Sequence, residues 1–117
     1  MTKQIKRFDI ILVDFGNNIG SEQDGIRPAV VIQNDKGNEF SSCTIVMPIT
    51  SKKTKTKIPT HTPLNKGRGT GLHENSIVLG ECMRQISKQR ILKVLGSVSD
   101  LKDQNAIKTI YYNNFGI

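Results

Sequence analysis

Residues 20–34 read GSEQDGIRPAVVIQN and set a charged side chain between a glycine-rich bend and an apolar run. Gly20 and Gly25 can take the positive φ angles of a tight loop, and Pro28 fixes its own φ while excluding its predecessor from the helical region. Arg27 is therefore expected extended, at a loop-to-strand junction. Residues 29–32, A-V-V-I, are apolar without polar alternation, the pattern of a strand covered on both faces. A guanidinium presented from the rim of such a strand can grip a phosphate or a carboxylate with a fork of donors.

Upstream of this stretch, residues 8–15 (FDIILVDF) predict a first strand that ends near Asp14, and residues 16–26 a loop long enough to fold over a site. Downstream, N-D-K-G-N at residues 34–38 predicts a turn, and residues 42–49 (SCTIVMPI) predict a third strand, antiparallel to its neighbour. Pro48 cannot donate to a ladder, so the far end of that strand is expected at an edge or a bulge. Thr50 and Ser51 then sit at a disrupted strand end, close to Arg27. Residues 58–64, with Pro59 and Pro63, predict a short edge strand, and Gly67, Gly69 and Gly71 a flexible connection.

Residues 77–86 (IVLGECMRQI) predict one long strand with Gly80 as a bulge or close-approach point. One helical turn at 87–90, a short strand at 94–98 and a terminal amphipathic helix complete the chain. Ser99 and Asp100 suit the N-cap of that helix and Asp103 its first turn, with Leu101, Ile107, Ile110, Tyr111 and Phe115 as its apolar face. Five or six short strands followed by one helix predict a mainly β, α+β fold: a small barrel with a helix laid against it. At 117 residues this is one domain, spanning residues 1–117.

Composition limits what such a domain can do. Seventeen Lys and Arg against ten Asp and Glu leave a net charge of +7, which favours an anionic partner. Lys52, Lys53, Lys55, Lys57, Lys66 and Arg68 lie in a segment without a single acid, readable either as a solvated loop or as an electrostatic funnel for nucleic acid. Lys88, Arg90 and Lys93 add further candidates for phosphate contact. Cys43 and Cys82 form no C-x-x-C unit, so reduced thiols in the cytoplasm are expected instead of a disulfide or zinc framework. No apolar run is long enough to span a bilayer, and residues 1–7 lack the apolar segment of a signal peptide. An apolar content of 36% leaves room for self-association.

Cleaving RNA without a metal requires a group that takes the proton of the 2′-hydroxyl, one that stabilises the phosphorane, and one that protonates the leaving 5′-oxygen. The chain has no H-E-x-x-H, no acidic cluster for two metals and no P-loop, so no metal or other cofactor is expected. Arg27 and Thr50 are candidate neighbours across an antiparallel pair, able to hold one phosphate between guanidinium and hydroxyl. Arg27 could otherwise serve a strand-end ion pair with Glu22. His61 and His73 have no evident partner in the sequence and read as ordinary structural residues. Cys82 has no histidine beside it to make it a nucleophile.

The strings SEQDGIRPAVVIQND, DIILVDF and MPITSK together resemble the MazF/PemK family of bacterial toxin endoribonucleases, from about Phe8 into the terminal helix. The resemblance implies an SH3-like β-barrel of the MazF/PemK/CcdB toxin type, assembled as a homodimer. It also implies an antitoxin whose acidic, disordered C-terminal tail covers the active groove. The Arg of G-x-R-P and the Thr of P-x-T fall on Arg27 and Thr50, which the resemblance makes the catalytic pair. Glu22 matches an acidic position tied to activity, with Ser51 in support and Gln23 in the loop over the substrate. Glu81 and Arg84 match the family's L-E-Q-I-R segment and, with Lys52, Lys53, Lys55 and Lys57, are the expected RNA contacts. Cys82 stands where a Gln is usual, which leaves the RNA motif open. The expected activity is cleavage of single-stranded mRNA through 2′-hydroxyl attack. The rival is a barrel that only binds RNA, or a toxin of the same fold that poisons DNA gyrase.

Overall fold

In the computed structural model, which describes residues 4–16, 25–52 and 58–116, strands β1 (Asp9–Asp14), β2 (Ile26–Val31) and β3 (Cys43–Thr50) form an antiparallel meander. The short strands β4 (His61–Leu64) and β5 (Ser76–Leu79) pair with each other, and β5 joins the distal end of β3. Strand β6 (Arg84–Ser87) pairs with the proximal end of β3, and β7 (Ile91–Ser97) pairs with β1. The order is β4-β5-β3-β2-β1-β7, with β6 beside β5 on the same edge of β3. The sheet coils into a barrel-like shape without closing. Register slips between Ile10 and Ile11 and between Leu12 and Val13, where β1 meets β7, supply some of that coiling.

The unbroken apolar run of β2 is explained by a core on each face of the sheet. Val30 packs with Phe8, Ile10, Met47 and Ile49 under Ile107 and Ile110 of the terminal helix α2 (Leu101–Asn113). Its neighbours Ala29 and Val31 point the other way, against Ile11, Val13, Val46, Ile86 and Ile91. The Asp100 carboxylate caps α2 by accepting from Lys102 N at 2.9 Å, as expected. Its apolar face is narrower than the spacing predicts: Leu101 and Tyr111 are exposed, and Phe115 lies beyond the helix at 99% exposure.

Several expectations give way to local geometry. Residues 34–38 are not a simple turn; they open the six-residue helix α1 (Asp35–Phe40), whose N-cap is Asn34, accepting from Gly37 N at 2.8 Å. Asn38 of α1 is buried and ties three elements together. Its side-chain oxygen accepts from Thr44 Oγ1 at 2.7 Å and Gln33 Nε2 at 3.1 Å, and its carbonyl accepts from Lys88 Nζ. Lys88 is therefore buried as a structural donor, not an exposed phosphate contact.

Residues 77–86 form two strands, not one. Between β5 and β6 a single 3₁₀ turn, Gly80–Cys82, breaks the ladder. A β-carbon on Gly80 would stand 2.7 Å from Thr60 O, so the glycine does mark a close approach. Because β3 changes partner from β6 to β5 across this break, Pro48 sits buried inside the sheet, not at an edge. The alternation of the ladder shows why it fits: Lys88 N donates to Ser42 O, so even-numbered residues of β3 face β5 and β6. Pro48 faces the break itself, where no strand needs its missing donor.

Pro28 has the complementary effect. Ile32 N donates to Ile45 O at 2.9 Å, so even-numbered residues of β2 address β3. Val30 still pairs with Met47, but the next donor would come from Pro28, which has none, and the ladder ends at Ala29 opposite Pro48. Arg27 and Pro28 thus lie within β2, not ahead of it, yet past the point where β2 is paired with β3.

Candidate active site

Continuing the register of Ala29 with Pro48 by two residues would set Arg27 opposite Thr50. The ladder is missing there, and the strands leave a cleft of about 760 Å³ between them. One wall is Leu12 of β1 with residues 25–28, and the other is the end of β3 with Ser51 and Lys52. Residues 71–74 and Ser76 line the cleft from the loop into β5, and Lys93 and Leu95 line it from β7.

Arg27 is half-buried on the β2 wall, and Thr50 is 8% exposed as the last residue of β3. Thr50 Oγ1 accepts from Lys52 N at 3.2 Å, which leaves its own proton for a further acceptor. Ser51 and Lys52 are exposed at the same lip. Among the described residues that line the cleft, Arg27, Lys52 and Lys93 give three cations against one carboxylate, Glu74. A concave surface with this charge concentrates field lines and favours an anion.

Four expected site residues therefore meet here: Arg27, Thr50, Ser51 and Lys52. Glu22, Gln23, Lys53, Lys55 and Lys57 lie outside the described residues. On either side of the segment with Glu22 and Gln23, Phe15 N donates to Gly25 O and Gly25 N to Gly16 O at 2.9 and 2.8 Å. Glu81 and Arg84 are not among the residues lining the cleft. Glu81 accepts from Thr60 Oγ1 at 3.2 Å and lies 2.7 Å from His61 Nε2, while the Arg84 guanidinium stands 5.5 Å over the Phe15 ring.

The histidines also part from expectation. His61 has a partner in Glu81, and its Nδ1 is buried without a hydrogen bond among the described residues. His73 lines the cleft beside Glu74. Sequence reasoning missed it because a loop position has no periodicity from which to read a neighbour. Burial pushes the Cys82 thiol above its ordinary value, and the adjacent Glu81 carboxylate pushes it the same way, opposite to an activated nucleophile. Both cysteines are free thiols. Among the described residues no group of three or more His, Cys, Asp or Glu could hold a metal ion, and no helix is long and apolar enough to cross a membrane.

Residues 6–110 match the family described as PemK-like, MazF-like toxin of type II toxin-antitoxin system. The chain belongs to that family. Over 98 residues it is 43% identical to the endoribonuclease MazF of Staphylococcus saprophyticus, covering 84% of this chain and 81% of that one. Over 96 residues it is 42% identical to the endoribonuclease EndoA of Bacillus subtilis, covering 82% of each. The MazF fold is shared more widely. A mycobacterial endoribonuclease solved in complex with its cognate antitoxin superposes with a TM-score of 0.77 at 19% identity, covering 97% of this chain and 96% of that one. MazF from Deinococcus radiodurans does so at 0.76 and 18%, covering 96% and 94%.

Proposed function

We propose that this MazF-family chain cuts single-stranded mRNA in the Arg27–Thr50 cleft, without a metal ion, as the toxin of a toxin–antitoxin pair. Endoribonuclease activity comes with the family and with the two relatives that bear that name. The observation that carries the mechanism is the early end of the β2–β3 ladder at Pro28, which sets a guanidinium and a hydroxyl on facing walls of a cationic cleft.

The scissile phosphate rests between Arg27 and Thr50. Arg27 forks onto its non-bridging oxygens and stabilises the charge that builds on the phosphorane. A guanidinium holds its proton throughout the working range, so its contribution is electrostatic. Thr50 donates its hydroxyl to the same phosphate, and Ser51 adds a donor from the exposed lip. The neighbouring ribose 2′-hydroxyl attacks phosphorus, leaving a 2′,3′-cyclic phosphate and a 5′-hydroxyl. Lys52 takes an adjacent phosphate, and Lys53, Lys55 and Lys57 serve further RNA contacts; Glu22 supports the chemistry, and Gln23, Glu81 and Arg84 contact the RNA. Bases splayed from a single strand are read on their edges, with Cys82 in place of an amide.

The whole chain acts as one toxin domain in the cytoplasm, paired as a homodimer. Leu92 and Val94, half-exposed on the terminal strand β7, support that pairing. The cationic cleft suits an antitoxin with an acidic tail.

The test is cleavage of a long natural RNA in excess chelator, followed by a mapped oligonucleotide with one 2′-deoxy substitution at the scissile nucleotide. Cutting should persist in chelator and stop with the 2′-deoxy substrate. Loss in chelator, or cutting of the 2′-deoxy substrate, overturns the mechanism.

A further inference from the structure

The reaction still needs two proton transfers: water can take the proton of the 2′-hydroxyl, but the departing 5′-oxygen needs an acid. Arg27 stabilises the phosphorane and Lys52 takes an adjacent phosphate, but a guanidinium and an ammonium are poor proton donors to a departing 5′-oxygen near neutral pH. Imidazole is the side chain whose ordinary titration range spans neutrality. The geometry points to His73 as the general acid of this cleft, a role that rests on the reading of the cleft as a ribonuclease site.

Two independent features support it. His73 lines the same cleft as Arg27 and Thr50, and the charged side chains that line it among the described residues are Arg27, Lys52, Lys93 and Glu74. The loop that carries His73 is also fixed, against the flexibility its three glycines suggest. Gly67, Arg68 and Gly69 all adopt positive φ, at 90°, 53° and 79°, and Gly71 follows at 75°. Ser97 N donates to Gly69 O at 2.9 Å, and Leu72 N donates to the buried Thr70 Oγ1 at 3.2 Å. A β-carbon on Gly71 would stand 2.2 Å from Leu95 O, and one on Gly96 2.2 Å from Gly69 O. On the far side Ser76 Oγ donates to Glu74 O at 2.8 Å, and Lys66 N donates to Asn75 Oδ1 at 3.0 Å. The glycines let two backbones lock together, and His73 is held between the lock and β5. The lock fixes the backbone that carries the exposed His73 ring to the cleft.

The step balances with water alone. The 2′-oxygen forms its bond to phosphorus and its proton passes to a water molecule. The bond from phosphorus to the 5′-oxygen breaks with its electron pair on oxygen, and that oxygen takes the proton of the His73 imidazolium. Solvent then returns a proton to the ring.

The experiment compares wild type, His73→Gln and Arg27→Ala in single-turnover cleavage of one mapped oligonucleotide, and of the same oligonucleotide with sulfur in place of the scissile 5′-oxygen. A thiolate leaves without being protonated. On the oxygen substrate His73→Gln should be slower by ~10²-fold to 10⁴-fold, the range for a positioned acid, and should lack the alkaline fall in rate expected of wild type. On the sulfur substrate it should return to within a few-fold of wild type, while Arg27→Ala stays slow on both. His73→Gln cutting the oxygen substrate at the wild-type rate, or remaining equally slow on both, overturns the assignment. Wild type that cuts a 2′-deoxy oligonucleotide overturns the ribonuclease reading itself, whatever His73 does.

Discussion

The two ends of β3 carry one threonine each, Thr44 and Thr50, and use them in opposite ways. At the proximal end the strand is paired on both edges, with Val31 opposite Val46 and Ile86 opposite Thr44. Thr44 has no exposure, and its hydroxyl donates to Asn38 inside a network that also holds Gln33 and Lys88. At the distal end only β5 remains, through Thr50 and Ile77, and the other edge opens onto the cleft. A buried polar group must be paired by the protein, whereas one at a cleft can be paired by a ligand. One end of the strand is therefore closed by the fold, and the other is left open to a ligand.

The sharpest way to break that contrast is through rates. Arg27→Ala and Thr50→Ala should each slow cleavage by ~10²-fold or more, the cost of removing one preorganised donor to a transition state. Their unfolding midpoints in urea should stay near wild type, because both residues border the cleft. Wild-type turnover by a folded Arg27→Ala protein would remove the chemical role of the distal end.

The proximal end should answer the reverse test. Asn38→Ala strands the Thr44 hydroxyl and removes the side-chain donor to Gln33 O, at about 1–3 kcal/mol for each group left without a partner. Urea denaturation reads that loss directly. Cleavage by the folded fraction, measured well below the midpoint, should be unchanged. A turnover defect as large as that of Thr50→Ala would mean that the ends are coupled.

The smallest effect separates two lysines of equal formal charge. With a 2′-deoxy substrate analogue, Lys52→Gln should reduce the slope of log affinity against log salt by ~0.7, one phosphate contact on a single strand. Lys88→Gln should leave that slope alone, since its ammonium is spent on the Asn38 carbonyl. The opposite ranking would place the RNA along the proximal end.

How much of this is legible in the sequence depends on whether a feature is written in periods or in contacts. The double-sided burial of β2 follows from A-V-V-I, and the Asp100 cap follows from its place before an apolar spacing; both are local patterns. The places of Arg27 and Thr50 were readable because Arg27 directly precedes Pro28 and Thr50 follows Pro48 by two residues, where the backbone is constrained. The break at Gly80 was not, because IVLGECMRQI keeps the composition of a strand through the 3₁₀ turn, and only the approach of Thr60 O reveals it. Helix α1 was hidden by the glycine in its middle, although Asn34 already marked its start. Lys88 and His73 depend wholly on residues distant in sequence, Asn38 for one and the β7 backbone for the other.

Pro28 brings a constraint of another kind, on how this sequence can drift. Every other amino acid at that position restores an amide aimed at Ile49 O, one more rung between β2 and β3. Such a change would mend the sheet and narrow the gap in which Arg27 faces Thr50. On the proposed mechanism the more regular sheet would be the poorer toxin, so selection for stability and selection for lethality would pull on the same residue in opposite directions.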